Sequence, residues 1–463
     1  MVRAKFFART ALGLALALGV AAGGMSTSAI AKEKKPEAPK IAPSKAFIPP
    51  YQAAKNALDA AAKRQDVVAA RAAVTEAENA YRSAQGKKAR EEARARYDAA
   101  VAALGTLLAP EMDAMEKAGA AATVPDDKFI FGQLALGLGQ LAYDKKLQRR
   151  GLQSMVDSGK LPSADVPKFN YYIGGISYDL RDYPTARTAL KAAIDGGYTE
   201  GGAEGLLADA YFNDNQQAEG LKILDAAITK KGAAAPEDWI RKGIVVAYKA
   251  KLPDQSIAFS TRLVQSYPSQ DNWALAIAVV RDMSKFQNQE QIDLMRLMQR
   301  TGSFSEARDY IEYIQAADPR RLPGEVLKIV NLGLASGKLD ASDPFVADAK
   351  TMSSGRIAAD KASLAGLERD ARAANSTAAT AMAAGDAYLS YDDAAKAEEM
   401  YKIALTKPGV DAPRVLTRLG IAQTDQGKYA EAQETFGKVT GIRVPIAQMW
   451  SAYAKSKTAA PAQ

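Results

Sequence analysis

The chain has 463 residues, with 61 lysines and arginines against 53 aspartates and glutamates, and it contains no cysteine and no histidine. The missing cysteine excludes disulfides, thiolate nucleophiles and cysteine-based zinc sites. The missing histidine excludes the common serine and cysteine catalytic triads and HExxH metal sites. Hydrophobic residues make up 48% and charged residues 25%, which is typical of a globular protein. The length corresponds to several domains or to one long array of repeats.

The formal net charge of +8 is unevenly distributed. Residues 1–31 carry +3 and residues 32–45 another +3, so only +2 is left for the rest of the chain. A protein that grips nucleic acid needs a dense basic face. We therefore expect no nucleic-acid partner, while a basic patch confined to one part of the surface stays open.

Residues 1–31 have the order of a secretory signal peptide. A basic start with Arg3, Lys5 and Arg9 precedes an apolar run over residues 11–22, and Ala29-Ile30-Ala31 supplies a cleavage site. The apolar run falls short of the roughly 20 residues that span a membrane comfortably, although an N-terminal anchor is the alternative. We predict cleavage after Ala31 and export, with a bacterial periplasm as the location, and no membrane span in the mature chain.

The remaining chain is divided by composition. Residues 32–50 are rich in proline and lysine and predict a flexible linker. Residues 51–108 are rich in alanine, arginine and glutamate and predict a long helical hairpin broken at Gly86. Prolines and glycines predict a connector over residues 109–126. Helical periodicity then continues over residues 127–455, and residues 456–463 predict a disordered tail.

An internal repeat of about 34 residues runs through the predicted array. Gly174 and Ala208 are 34 residues apart, and Gly385 and Gly420 are 35 apart. In each repeat a small residue lies on the first predicted helix, and an alanine and a large residue lie on the second. Two helices can pack closely only where such small side chains make room for a large one. The clearest positions are Leu207-Ala208-x-x-Tyr211, Ala384-Gly385-x-x-Tyr388, Ala397/Tyr401/Ala404 and Leu419-Gly420. An ordinary helical bundle is the alternative.

These positions resemble the tetratricopeptide repeat (TPR) family, here in an exported bacterial member. The resemblance implies an all-α fold, an α-solenoid of stacked antiparallel helix pairs, to which the alanine-rich segment adds an N-terminal long helical hairpin. It also implies a concave face, lined by the first helix of each pair, that binds peptides or protein segments.

Seven residues are candidates for that partner-binding groove. Tyr178, Phe212 and Tyr248 are spaced by 34 and 36 residues, so they could form an aromatic ladder on successive repeats. Aromatic and arginine side chains are common energetic anchors of interfaces. Packing between helices needs the same residue types, so a structural role is the alternative. The neighbouring candidates are Tyr171, Asn213, Arg241 and Lys249.

Other motifs do not predict chemistry. Gly137-Leu138-Gly139 imitates a dinucleotide fingerprint, but it lies inside a helical run without the preceding strand that the site requires. We therefore expect no cofactor, no metal and no catalytic residues. The predicted function is a non-enzymatic scaffold or adaptor that binds a protein or peptide in the cell envelope. A cell-wall glycan ligand, a carboxylate-dependent hydrolase and self-association stay open.

Overall fold

A computed structural model describes residues 41–458, and over this range the regular structure consists of α-helices and two short 3-10 turns, with no strand. The first twelve helices are α1 (Ile48–Ala61), α2 (Gln65–Ser83), α3 (Lys87–Leu107), α4 (Ala109–Ala121), α5 (Pro125–Leu141), α6 (Lys145–Asp157), α7 (Val166–Asp179), α8 (Tyr183–Asp195), α9 (Ala203–Asn213), α10 (Gln217–Lys231), α11 (Glu237–Lys249) and α12 (Pro253–Ser266).

The second half of the chain continues with ten more helices. They are α13 (Gln270–Ser284), α14 (Asn288–Thr301), α15 (Ala307–Ala317), α16 (Pro323–Ala335), α17 (Pro344–Arg372), α18 (Ala378–Ser390), α19 (Ala394–Leu405), α20 (Ala412–Asp425), α21 (Tyr429–Phe436) and α22 (Val444–Thr458). The 3-10 turns are Gly232–Ala234 and Gly441–Arg443.

Successive helices pack against each other in pairs, and each pair packs against the next. The pairs are α5/α6, α7/α8, α9/α10, α11/α12, α18/α19 and α20/α21, and we call the first helix of a pair its A helix and the second its B helix. The all-α solenoid of antiparallel pairs that the sequence predicts is confirmed. The N-terminal hairpin predicted over residues 51–108 is formed by α2 and α3 alone, which meet at Gly86, whereas residues 51–61 belong to α1, which packs on α4.

The turn inside each pair repeats one backbone device. The second residue after the end of each A helix has a positive φ. The residue that follows it donates its N–H to the carbonyl five residues earlier, at 2.8–3.0 Å. This is the hydrogen bond of a Schellman helix end. The left-handed residues are Tyr143, Arg181, Asn215, Lys251, Asp392 and Gly427.

A small residue on the A helix faces a large residue on the B helix in four of the pairs. A β-carbon added to any of these glycines would lie within 3 Å of the large side chain. The two residues are 16 positions apart each time, so the small–large contact repeats with the fold. The contacts are Gly174 with Leu190, Gly243 with Phe259, Gly385 with Tyr401, and Gly420 with Phe436.

Three predicted segments have a different structure. Residues 109–126, predicted as a connector, contain helix α4, because Pro110 lies in the first turn, where its missing N–H costs nothing. Helix α1 begins at Ile48, inside the predicted linker, for the same reason at Pro49 and Pro50. Helix α22 extends to Thr458, into the predicted tail. The predicted signal peptide lies outside the described residues.

The last helices fold back onto the middle of the chain. Helix α22 packs against α12, α13, α14 and α20. As a result, buried residues from Val264 to Ala452 form one continuous apolar core, whereas the earlier pairs are joined by separate smaller clusters. We refer to α5–α12 as the front stack and to α13–α22 as the closed half. In residues 41–458 no helix is long and apolar enough to cross a membrane.

Candidate functional site

The A helices α7, α9 and α11, and the helix α13 that follows the α11/α12 pair, carry hydrogen-bonding side chains in their last turns. Tyr178, Asn213, Tyr248 and Asp282 follow each other at intervals of 35, 35 and 34 residues. The Asn213 amide donates to the Tyr178 hydroxyl at 2.9 Å, and the Tyr248 hydroxyl donates to the Asp282 carboxylate at 3.1 Å. The repeat therefore places equivalent side chains of neighbouring helices within hydrogen-bonding distance.

A partly buried ion pair lies between the two hydrogen bonds. The Lys242 ammonium on α11 donates to both carboxylate oxygens of Asp209 on α9, at 2.6 and 2.7 Å. Asn213 also donates to the backbone carbonyl of Asp209, at 2.8 Å. Polar contacts thus run from α7 to α13. We call this surface the A-helix band and define it by Tyr178, Asp209, Asn213, Lys242, Tyr248 and Asp282.

The band has the electrostatics of a partly desolvated surface. Burial raises the pKa of Tyr178 well above its ordinary value, with a further contribution from the negative charge of Asp209. Burial also raises the pKa of Asp209, and the Lys242 charge opposes that rise. The hydrogen bond to Asp282 raises the pKa of Tyr248. At neutral pH both tyrosines therefore keep their protons and can donate hydrogen bonds.

Helix α11 adds apolar surface to the band. Val245 is 49% exposed and Tyr248 is 39% exposed, and both lie on the same side of the helix because they are three residues apart. Lys249 is also exposed. The band therefore combines apolar contact area with flanking charged and hydrogen-bonding groups, the composition of an interface with a polar rim.

The structure separates the seven sequence-predicted groove residues into two groups. Tyr171 is only 6% exposed, donates to the Gly201 carbonyl at 3.0 Å and stacks on Tyr198. Phe212 packs over Gly220 of its own pair. The expected aromatic ladder of Tyr178, Phe212 and Tyr248 is therefore not formed, because one of its three rings fills the space between an A and a B helix.

The other predicted residues lie on or beside the band. The Asn213 side chain and the Tyr178 hydroxyl meet, as do Tyr248 and Asp282. The Arg241 guanidinium bridges Glu237, at 2.7 Å, and the Asn272 amide oxygen on α13. Whether any of these residues contacts a partner stays a prediction.

Sequence reasoning missed a buried ionic cluster in the closed half. Its centre is Asp293 of α14, which is fully buried and bonded to three arginines. Arg418 lies at 3.1 Å from its carboxylate, Arg443 at 2.7 Å and Arg296 at 2.9 Å. The Trp450 indole N–H donates to the Asp293 carbonyl at 2.7 Å. One aspartate thus joins α14 to α20, to the 3-10 turn Gly441–Arg443 and to the middle of α22.

Further carboxylates balance the arginines of this cluster. Asp386 pairs with Arg418 at 2.5 Å, and Glu325 pairs with Arg296 through two hydrogen bonds of 2.7 and 2.8 Å. Burial would raise the pKa of Asp293, but the positive charges of Arg418, Arg296 and Arg443 outweigh it and hold that pKa below its ordinary value. The cluster is therefore ionised and internally neutralised, which is the condition for burying charge.

A sequence signal for this cluster existed. Asp386 stands in an otherwise apolar stretch, between Gly385 and Ala387 of α18, and Asp293 precedes Arg296 by one helical turn. Charged residues on the apolar side of a helix are rarely buried unless paired. The sequence cannot identify their partners, since Arg418 and Arg443 lie more than 100 residues away from Asp293.

Within residues 41–458 no group of three acidic side chains is arranged to hold a metal ion. No family model matches the chain, and no curated protein matches it. Among solved structures, the Naa15/Naa10 complex bound to HypK-THB is similar over 89% of this chain and 73% of that one, with 11% identity and a TM-score of 0.32. The Cut9-Hcn1 hetero-tetramer of the APC/C is similar over 77% and 82%, with 13% identity and a TM-score of 0.19. At this level of similarity the TPR-like architecture rests on the helix packing within this chain.

Proposed function

We propose that this protein is a non-catalytic scaffold that binds a protein or peptide segment along the A-helix band, and that it works in the cell envelope after export. The observation that supports binding at the band is the exposure of Val245 and Tyr248 next to hydrogen-bonding and charged side chains of four helices. Apolar anchors flanked by polar groups are what a protein partner requires.

The band favours a polypeptide over a glycan. Sugar recognition by stacking needs several aromatic rings with open faces. Tyr171 is buried, Tyr178 is half-buried and Phe212 packs over Gly220, so Tyr248, at 39%, is the most exposed of the predicted aromatics. The row of hydrogen-bonding groups, in contrast, matches the amide groups of an extended or helical peptide.

The envelope location is supported by the sequence of residues 1–31 alone. A basic start, a short apolar run and Ala29-Ile30-Ala31 form the pattern of a cleaved leader. N-terminal sequencing of the protein recovered from a bacterial host is the test. A mature chain that begins at Lys32 supports export, and one that begins at Met1 contradicts it.

Capture from envelope extract tests the band. We expect a defined protein partner with the unchanged chain, and we expect about tenfold less of it with Val245→Glu combined with Tyr248→Ala, since interface anchors dominate binding energy. The matched control is Leu332→Glu combined with Phe345→Ala, because these side chains are similarly exposed, at 41% and 38%, on other helices.

Equal capture by the band variant and the unchanged chain would refute binding at the band. Equal loss in the band variant and the control would show that capture depends on general surface properties. Retention of the chain on cell-wall material in the absence of any protein partner would favour the glycan instead. Circular dichroism of each variant checks that its helix content is unchanged.

A further inference from the structure

The hairpin of α2 and α3 extends beyond the body of the protein. Its base is anchored: Arg64 pairs with Glu111 at 2.9 Å, and Thr75 shares a hydrogen bond of 3.2 Å with the hydroxyl of Tyr143. Over residues 76–96, the side-chain hydrogen bonds and ion pairs connect groups within the hairpin. At about 1.5 Å per residue, the helices continue more than 10 Å past Thr75.

The end of this hairpin is strongly basic. Residues 79–90, which we call the basic tip, contain four cations and no acidic residue. Every residue of the tip except the half-buried Ala84 is exposed. The Lys87 and Lys88 side chains are 90% and 92% exposed. The four cations are Arg82, Lys87, Lys88 and Arg90.

Neighbouring carboxylates neutralise the tip only in part. Glu78 pairs with Arg82 at 2.5 Å. Glu91 and Glu92 approach Lys87 and Lys88 only to 3.9 and 4.0 Å, one helical turn closer to the body. Pairs as exposed as these are weak, so the outermost surface of the hairpin stays positive although residues 46–463 together carry a net charge of only +2.

The sequence of the tip is also unfavourable for the start of helix α3. Helix α3 begins with two lysines, has no acidic residue in its first turn, and its N-cap, Gly86, offers no side-chain cap. Positive charge at a helix start is unfavourable. Positions that break a local rule without a structural gain are expected where function constrains the sequence.

We propose that the basic tip docks on an anionic lipid surface. Clusters of four to eight lysines and arginines bind such surfaces. A projecting end can meet a flat membrane while Glu91 and Glu92 lie one helical turn further from it. Tyr81, 39% exposed at the tip, belongs to the residue type that favours the headgroup layer. The contact is peripheral and independent of the partner that the A-helix band binds.

A nucleic acid fits the same tip less well. A duplex that lies along α3 would meet Glu91 and Glu92 after one turn, and their charges would repel its phosphates. Proteins that grip duplexes neutralise about six to ten phosphates, whereas the tip offers four cations.

Vesicle co-sedimentation with the full chain tests the proposal. The probes are phosphatidylcholine vesicles with and without about one-third phosphatidylglycerol. We expect binding to the anionic vesicles that is weakened by 0.5 M salt, where screening shortens to a few ångström, and about a tenfold loss in the tip variant. The tip variant is R82Q/K87Q/K88Q/R90Q, and the control with the same charge change is K117Q/K222Q/K350Q/K438Q, at exposed lysines elsewhere.

Residues 1–40 are present in all three proteins, so a difference between the variants reports the tip. Retained binding by the tip variant, equal loss in the control, or equal binding to neutral and anionic vesicles would each overturn the proposal. So would tighter, tip-dependent binding to a short DNA duplex than to the anionic vesicles.

Discussion

The front stack and the closed half use the same helix pair but bury it differently. In the front stack, separate apolar clusters join neighbouring pairs, for example around Phe169 and Ile173 and around Leu190 and Leu207. In the closed half, one core continues from Val264 to Ala452, and Asp293 hydrogen-bonds to Trp450 across 157 residues of sequence.

This difference determines how each region responds to damage. In a stack with contacts between neighbours only, stability is a sum of local terms. The destabilisation caused by a mutation in one pair therefore stays near that pair. In the closed half, contacts between distant parts of the chain make its helices depend on each other. We expect the closed half to unfold as one unit and the front stack to lose pairs more independently.

The largest effect is expected for Asp293→Ala. The change leaves Arg418, Arg443 and Arg296 without their shared carboxylate in a buried site. Breaking a buried ion pair in this way costs about 3–5 kcal/mol. Hydrogen exchange should show loss of protection throughout α13–α22 and retained protection in α5–α10.

The control is Asp238→Ala, an exposed aspartate of the front stack, which should change the free energy of unfolding by less than about 0.5 kcal/mol. An Asp293 variant as stable as this control, or one that loses protection evenly along the chain, would refute the closed half as a cooperative unit.

A smaller effect is expected for Gly385→Ala in the closed half. The new β-carbon would lie 2.6 Å from the ring of the fully buried Tyr401, which cannot move away without losing its hydrogen bond to Asp386. Overpacking of this kind costs about 1–3 kcal/mol. Urea denaturation measures it.

Gly355→Ala is the matched opposite. Apart from its chain neighbours and the backbone of α17 itself, no atom lies within 4 Å of the added carbon, so the variant should gain about 0.5–1 kcal/mol from the better helix propensity of alanine. If both glycine variants shifted stability in the same direction, the small–large contact would not explain the repeat of glycine on the A helices.

In the front stack, Phe212→Ala is expected to cost about 1–2 kcal/mol, since the half-buried ring fills the space over Gly220. Exchange should rise in α9 and α10 and stay unchanged in α13–α22. If stability were unchanged but partner capture fell, Phe212 would belong to the binding surface, as the sequence predicts.

The smallest effect is an acid sensitivity that involves Glu398 of α19. Burial would raise its pKa, but hydrogen bonds from Lys402, Lys428 and Gln426 outweigh it and hold the pKa at about 2, below the ordinary 4.5. The stabilisation is therefore present above pH 4.5 and is lost as the pH falls towards 2.

Glu398→Gln should remove part of this pH dependence, whereas the exposed Glu434→Gln should not. Thermal melts of the three proteins between pH 6 and pH 3 measure the difference. Parallel pH curves for the unchanged chain and the Glu398 variant would contradict the stabilising role of this carboxylate.

Local features of the fold were predictable because they depend on residues close in sequence. The spacing of Gly385 and Gly420 predicted the helix pairs, and the structure places each glycine under the residue 16 positions later. The connector predicted over residues 109–126 was wrong, because Pro110 was interpreted as the end of helical structure although proline is favourable in the first turn of a helix.

The candidate site was predictable only in part. The spacing predicted a ladder of Tyr178, Phe212 and Tyr248, whereas in the structure Asn213 donates to Tyr178 and Tyr248 donates to Asp282. The sequence could not choose between Phe212 and its neighbour Asn213, because a difference of one residue along a helix rotates a side chain by about 100°. The exposed Val245 gave no signal, since valine is common in cores.

The sequence by itself therefore determined the helix pairs that carry the small–large contact and the period at which they repeat, because each depends on side chains within one repeat. Only the tertiary structure decided that α22 returns to α12–α14 and that Asp293 meets Arg418 and Arg443. The physical reason is that the position of α22 depends on small rotations summed over many helix pairs. No single pair contains the information for where α22 meets α12–α14.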